Sequence, residues 1–267
     1  MEPTETKILK FRNNSYEILS GNAIKMIGII LMVMDHLHQM FINQGAPAWL
    51  NWFGRPVSTM FLFLCAEGFY YTRSKKQYML RLLVGFFFMN LMNQVLSRSM
   101  PLENVALINN VFGSLFMAVF YMWLFDLIKQ GITEKKAGKI LLALGGFILT
   151  WIAGIALLAA LNAGNHAAVM VLMFIPNPIS AEGGVPLILL GLLFYILRRY
   201  RLIQAALVLI AGLLAWFILH SAQWLMIAAA IPILLYNGQR GRGSKYFFYI
   251  FYPAHIYLFY GIAWFIR

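Results

Sequence analysis

The stretch IKMIGIILMVMDHLHQMFI, residues 24–42, is an apolar run with Asp35, His36 and His38 near its centre. A run of this length and composition predicts a membrane-spanning helix. An ionisable side chain at the centre of a span opposes insertion by about 2.5 to 3.5 kcal/mol, and such side chains usually face the bundle interior and mark a functional path. The run therefore predicts both the class of fold and the place of the functional site.

The composition of the whole chain indicates an integral membrane protein. Of the 267 residues, 61% are hydrophobic and 11% are charged, whereas soluble domains carry about 25% charged residues. We expect one transmembrane domain over residues 24–267. A cytoplasmic tail at residues 1–23 precedes it, without the features of a cleaved signal peptide. The expected fold is all-α and polytopic, with about nine or ten transmembrane helices around a polar cavity.

Apolar runs predict nine crossings. They cover residues 24–42, 49–71, 79–97, 105–128, 140–161, 185–197, 202–219, 223–236 and 246–266. A further run, residues 166–175, is too short for a relaxed crossing before the Pro176-Asn177-Pro178 break. We expect this run to be re-entrant or to lie at the outer interface, with a count of about eight to ten crossings left open.

The positive charges form clusters that predict orientation. The net charge is +12, and the clusters precede the first run and then follow every second one. Their members include Lys7, Lys10, Arg12, Lys25, Arg73, Lys75, Lys76, Lys135, Lys136, Arg198, Arg199, Arg201, Arg240, Arg242 and Lys245. This alternation is what the positive-inside rule predicts for a chain with its N-terminus inside. We therefore expect a lipid bilayer as partner and no nucleic acid.

Further polar side chains lie within or beside the apolar runs, and we expect them to line one site. They are Arg55, Glu67, Arg81, Asn90, Asn93, Gln94, Asn109, Asn110, Glu182 and His255. On the first helix, residues 36 and 38 are about 200° apart, so only one of the two histidines can face the site. The other is expected to be structural. Because Cys65 is the only cysteine and no HxxxH or HExxH spacing occurs, no metal is expected.

Five segments in combination resemble the TraX family of bacterial inner-membrane proteins. They are LMVMDHL (31–37), FGRPVSTMFLFLCAEGFYYTRS (53–74), INNVF (108–112), EGGVPLILLGLLFYILRRYR (182–201) and FYPAHI (251–256). A member of that family is required for N-terminal acetylation of conjugative pilin, and the layout is similar to that of membrane acyltransferases. The resemblance implies a multi-pass inner-membrane acetyltransferase. It also implies that the functional positions are Asp35, His36, Arg55, Glu67, Asn110 and His255.

Acetyl transfer from a thioester needs a base for the acceptor's proton and donors for the oxyanion. We predict His36 as the base and Asp35 as the carboxylate that orients it. Arg55 or Asn110 would stabilise the oxyanion. The side chains predicted to bind substrates are Glu67, Arg81, Asn93, Glu182 and His255. The implied donor is cytoplasmic acetyl-CoA, and the acceptor is a pilin N-terminus, a peptide or a surface glycan.

Other interpretations remain open at this point. A proton-coupled transporter of small solutes could use Asp35 and His36, although the repeated halves common in transporters are not detectable. A non-catalytic assembly factor for pilin-like substrates would leave the polar cluster without a role. Arg55 and Glu67 could form a structural pair, and Asn110 could serve only to join helices.

Overall fold

The computed structural model describes residues 17–243 and 246–267, and in this part of the chain all regular structure is helical. Residues 1–16 of the predicted tail, including Lys7, Lys10 and Arg12, lie outside the described residues, as does Lys245. The α-helices of the described part are α1 Gly21–Met40, α2 Val57–Tyr71, α3 Lys75–Ser99, α4 Val111–Thr133, α5 Ala137–Asn162, α6 His166–Leu172, α7 Gly184–Ile196, α8 Arg201–Phe217, α9 Ala230–Leu234 and α10 Phe247–Phe265. The predicted all-α fold is confirmed.

Helices α3, α4 and α5 are each long and apolar enough to cross a membrane, whereas α7, α8 and the helical segment 222–234 are apolar but shorter. The fraction of buried residues shows that α2 is central in the bundle and that α5 is peripheral. Ten of the 15 residues of α2 are buried, against five of the 26 residues of α5. The apolar side chains that α5 exposes, such as Leu141 and Leu149, form a surface that suits lipid and would be unfavourable in water.

Three predicted spans differ from the helices observed. The run 49–71 contains a 3-10 segment, Ala48–Gly54, and α2 begins only after Pro56. Proline lacks the N–H that a continuous helix would need there. The run 223–236 is a 3-10 segment, Ala222–Ala229, followed by α9. The run from residue 105 becomes helical only at Val111, where the Asn110 side chain caps α4.

Contacts between helix ends show how the helices alternate in direction. At one end, Lys75 at the start of α3 donates to the Tyr195 hydroxyl near the end of α7, at 3.3 Å. At the other end, Arg267 after α10 donates to the Pro101 carbonyl after α3, at 3.0 Å. The loops after α2, α4, α7 and α9 therefore lie together and carry the basic clusters, and we call this side the basic end. The opposite side is the Asp35 end.

The short run at 166–175 remains on one side of the bundle. Helix α6 has only seven residues, too few to cross a bilayer. The Asn90 amide of α3 donates to the Met173 carbonyl at 2.7 Å, and the chain then returns to Glu182 at the Asp35 end. The structure therefore agrees with the prediction of a re-entrant or interfacial segment.

Candidate active site

A cavity of about 610 Å³ lies between α1, α2, α3, α4 and α10, within the range of about 300 to 1,000 Å³ typical of small-molecule sites. On α1 it is lined from Gly21, at the basic end, to His36 near the Asp35 end. At about 1.5 Å per residue this distance is about 22 Å. The cavity thus connects the region of the basic loops with the ionisable centre of the first helix.

Of the nine side chains predicted for the site, five line this cavity. They are Asp35, His36, Glu67, Arg81 and Glu182. The other four, Arg55, Asn93, Asn110 and His255, are not among the lining residues. Their contacts place three of them directly behind the lining of the Asp35 end, and the fourth, Arg55, interacts electrostatically with Asp35 and Glu182.

A chain of hydrogen bonds fixes the tautomer of His36. His255 Nδ1 is 2.8 Å from the Phe251 carbonyl, which can only accept, so this nitrogen carries hydrogen. With His255 neutral, its Nε2 must accept, and His36 Nδ1, at 2.7 Å, must donate. His36 Nε2 is then the acceptor and lies 3.3 Å from Asn109 Nδ2. The buried His36 ring is thus held neutral with its basic nitrogen at Nε2.

Amide side chains support this arrangement. Asn109 and Gln39 exchange two hydrogen bonds, of 2.9 and 3.0 Å. Asn93, predicted to bind substrate, instead donates to the Asn109 carbonyl at 3.0 Å and accepts from the Tyr257 hydroxyl at 3.1 Å. These bonds hold the segment before α4 beside His36, so Asn93 acts on the site through Asn109.

Asp35 takes a different position from the one expected. Its carboxylate lies against Gly54, where an added Cβ would be 2.3 Å from Asp35 Cγ. It does not orient the His36 ring, because adjacent residues on a helix point about 100° apart. Within the described residues its Oδ1 is buried without a hydrogen-bond partner. The hydrogen-bond partner of His36 is therefore His255. Asp35 lines the cavity, and its Oδ1 is a free acceptor among the described residues.

Arg55 does not pair with Glu67. Its Nη2 donates to Asn51 Oδ1, and its Nε is buried without a partner among the described residues. Glu67 lies 3.8 Å from Arg201 Nη1 instead, close to the basic end. The hypothesis of an Arg55 and Glu67 pair is therefore wrong, because the two side chains lie near opposite ends of α2.

Asn110 is committed to packing. Its Oδ1 caps α4, and its Nδ2 donates to the Phe86 carbonyl at 3.1 Å and to Asn90 Oδ1 at 2.9 Å. Its backbone N–H donates to Glu182 Oε2 at 3.2 Å. These contacts join α3, α4 and the segment before α7, so the interpretation of Asn110 as a bond between helices describes its geometry.

The two histidines of α1 have different surroundings, as helix geometry predicts. His38 is half-buried, does not line the cavity, and bonds through Nδ1 to the Ala46 carbonyl at 3.0 Å. Among the described residues, no group of three or more His, Cys, Asp or Glu side chains could hold a metal ion.

Several lining residues were not singled out from the sequence. Tyr252 lies with its ring centroid 6.2 Å from that of His36, and its hydroxyl accepts from Val111 N–H at 3.0 Å. The hydrogen of the Tyr252 hydroxyl has no acceptor among the described residues. Lys25 and Arg240 also line the cavity, although the sequence presented them only as topological charges. The sequence could have indicated Tyr252, because in FYPAHI it precedes His255 by three positions. Residues at this spacing lie on the same side of a helix.

Comparison with known proteins shows which family the chain matches. The family model described as TraX protein matches residues 20–263. A relative from Dichelobacter nodosus, described as probable fimbrial assembly protein FimC of serogroup H1, is 24% identical over 261 residues, which cover 89% of this chain and 93% of the relative. No solved structure matches the chain.

Proposed function

The chain belongs to the TraX family, and on that premise we propose that it is an acetyltransferase of the bacterial inner membrane. Its transmembrane domain, residues 24–267, would take acetyl from cytoplasmic acetyl-CoA. The acceptor would be a pilin N-terminus, a peptide or a surface glycan. The N-terminus would be cytoplasmic, so that the basic end of the cavity faces the compartment in which acetyl-CoA is made.

One observation carries this proposal: His36 lines the cavity and is held neutral, with Nε2 as its acceptor atom. A neutral imidazole whose acceptor nitrogen is fixed at one position can take a proton from an acceptor group, as general base catalysis requires. A residue that merely filled the core would not need a second histidine to fix its tautomer.

The chemistry can be written with these side chains. The N–H or O–H of the acceptor replaces Asn109 Nδ2 at His36 Nε2, while Asn109 keeps its bonds to Gln39. The acceptor atom attacks the thioester carbonyl carbon, and its proton passes to Nε2. The carbon–sulfur bond then breaks, and the leaving thiolate takes the proton from His36. Asp35 stabilises the transient imidazolium through its charge.

The developing oxyanion needs donors in the cavity. Arg55 interacts electrostatically with Asp35 and Glu182 at this end, although it is not a lining residue. The Tyr252 hydroxyl lines the cavity beside His36 and has its hydrogen to donate. We therefore assign the hydrogen bond to the oxyanion to Tyr252, with Arg55 acting through its positive charge. Asn110 holds the start of α4.

The decisive experiment uses the full chain in nanodiscs with labelled acetyl-CoA and a pilin-derived peptide whose N-terminus is free or blocked. Release of the coenzyme thiol and transfer of label are measured for the unmodified protein, His36→Gln and His38→Gln. We expect His36→Gln to lower turnover by about 10²- to 10⁴-fold and His38→Gln to retain most of it. Equal activity of both variants would refute the role of His36.

A second function is favoured by the name of the Dichelobacter relative, a probable fimbrial assembly protein. In that case the chain would assist pilus assembly without chemistry. The two functions separate in one comparison, because an assembly factor would turn over no acetyl-CoA with any acceptor, whereas its deletion would still reduce pili. His36→Gln would then leave pilus number unchanged.

A further inference from the structure

Three cationic side chains converge at the basic end of the cavity, where Lys25 of α1, Arg81 of α3 and Arg240 of the loop after α9 all line it. Lys25 lies over the Phe248 ring at 4.8 Å, and none of the three forms an ion pair within the described residues. Arg81 Nε is buried without a hydrogen-bond partner in that part of the chain. The carboxylate that shares this cavity end, Glu67, is already beside Arg201.

The loop that carries Arg240 is fixed in place. Gly21 N–H donates to the Gln239 carbonyl at 2.8 Å, and Asn22 N–H donates to the Arg240 carbonyl at 2.9 Å. The loop also packs closely, because a Cβ on Gly243 would lie 2.2 Å from Asn22 Oδ1. Arg240 is therefore held at the mouth of the cavity by the first turn of α1.

This arrangement differs from a dispersed topological charge cluster, because its three members line one cavity. Lys25 and Arg240 are close enough for their charges to repel, and α1 and α10 both begin at this mouth with the positive ends of their dipoles. Like charges gathered beside two helix N-termini are unfavourable unless an anion joins them. Phosphate groups are the anions that such sites commonly bind.

We propose that Lys25, Arg81 and Arg240 bind the phosphates of a nucleotide-bearing acyl donor, so that its acyl arm runs along α1 to His36. The assignment of an acyl donor rests on the function proposed above.

The geometry of α1 supports the arm's path. Lys25 and His36 are 11 positions apart, which is about three turns on one helix face and about 16 Å. In coenzyme A, about 13 bonds separate the thioester sulfur from the nearer phosphorus, and an extended chain covers about 15 Å over that number. Ile29 and Met32, which also line the cavity on this face, would contact the arm.

The test measures binding to the full-length protein in nanodiscs of zwitterionic lipid, with coenzyme A, ADP and phosphate-free pantetheine as probes. We expect coenzyme A to bind and pantetheine to bind at least about 10-fold more weakly. Salt should weaken the binding of coenzyme A and of ADP, but not that of pantetheine. Lys25→Gln and Arg240→Gln should each weaken coenzyme A and ADP by about 10- to 100-fold. Arg242→Gln is the matched control, since Arg242 is exposed in the same loop and does not line the cavity.

The possible outcomes separate this inference from the proposed function. If acetyl-CoA is turned over while Lys25→Gln and Arg240→Gln bind coenzyme A normally, the phosphate site is wrong and the function stands. If both variants lose coenzyme A and ADP but no acceptor is acetylated, the site stands and the function fails. In a second set of nanodiscs that contain phosphatidylglycerol, binding of this lipid in place of coenzyme A, with the same dependence on Lys25, would overturn the inference in favour of a lipid headgroup site.

Discussion

His36 Nδ1 donates to His255 Nε2 across 2.7 Å, which joins the first and last described helices through side chains 219 positions apart in sequence. His255 does not line the cavity. It can therefore affect chemistry there only through His36, by holding the ring in one tautomer and orientation. A reaction at His36 thus depends on how α10 packs against α1.

The first prediction concerns this contact. His255→Ala would leave His36 Nδ1–H buried without an acceptor, which costs about 1 to 3 kcal/mol, and would free the ring to adopt the other tautomer. We expect turnover to fall by about 10- to 10²-fold while the affinity for acetyl-CoA is unchanged. His255→Gln offers an acceptor oxygen and should recover part of the activity. If His255→Gln and His255→Ala are equally impaired in turnover and equally destabilised, the tautomer argument is incorrect.

A second prediction uses the close approach of Gly54 to Asp35. The Cβ of Gly54→Ala would lie 2.3 Å from Asp35 Cγ, so the carboxylate must move. We expect a loss of turnover close to that of Asp35→Asn, in protein that still purifies as a folded species. Gly145→Ala is the control, because nothing lies within 4 Å of the added atom there, and alanine favours the helix by up to about 1 kcal/mol. Full activity of Gly54→Ala would show that the position of Asp35 is unimportant.

The third prediction tests orientation. Cys65 is buried and is the only cysteine, so a Cys65→Ala background allows single cysteines to be placed in loops. A membrane-impermeant thiol reagent applied to intact cells should label cysteines at three positions of the Asp35 end, Gln44, Asn104 and Ala181. It should label those at Lys76, Lys136 and Arg242 only after lysis, because the basic loops would face the cytoplasm. Labelling of Arg242→Cys in intact cells would reverse the orientation.

The fold could be predicted from the sequence because lipid leaves few solutions for apolar runs. The exceptions have local causes. Pro56 separates a 3-10 segment from α2, and the capping side chain of Asn110 moves the start of α4 to Val111. Hydropathy averages over such positions, so the lengths of the apolar runs could not show these boundaries.

The site was predictable only in part. The helical angle between His36 and His38 predicted that only one of them faces the site, because that angle is a local property, and the choice of His36 came from the family resemblance. The pairing of His36 with His255 and of Glu67 with Arg201 depends on how distant helices pack, and no spacing within the sequence encodes it. From the sequence, Arg240 was one of the positive charges that indicate orientation. Its place in the cavity lining depends on the path of the loop after α9.

The last prediction distinguishes Tyr252 from Asn110. Asn110→Ala removes a helix cap and two further hydrogen bonds, so it should lower thermal stability, by about 1 to 2 kcal/mol for the cap alone. Tyr252→Phe keeps the ring, which packs edge to face on Phe112 at 5.3 Å, and loses only the hydroxyl. Because Val111 N–H then loses its acceptor, stability should fall by about 1 to 3 kcal/mol while the fold is retained. Its turnover should fall by about 10²- to 10³-fold with nearly unchanged acetyl-CoA affinity, since an oxyanion donor acts mainly in the transition state.

Both variants are compared by thermal unfolding and by turnover at saturating donor. A folded Tyr252→Phe protein with normal turnover would remove Tyr252 from the chemistry, and the oxyanion would then depend on Arg55, to be tested as Arg55→Gln in the same assay.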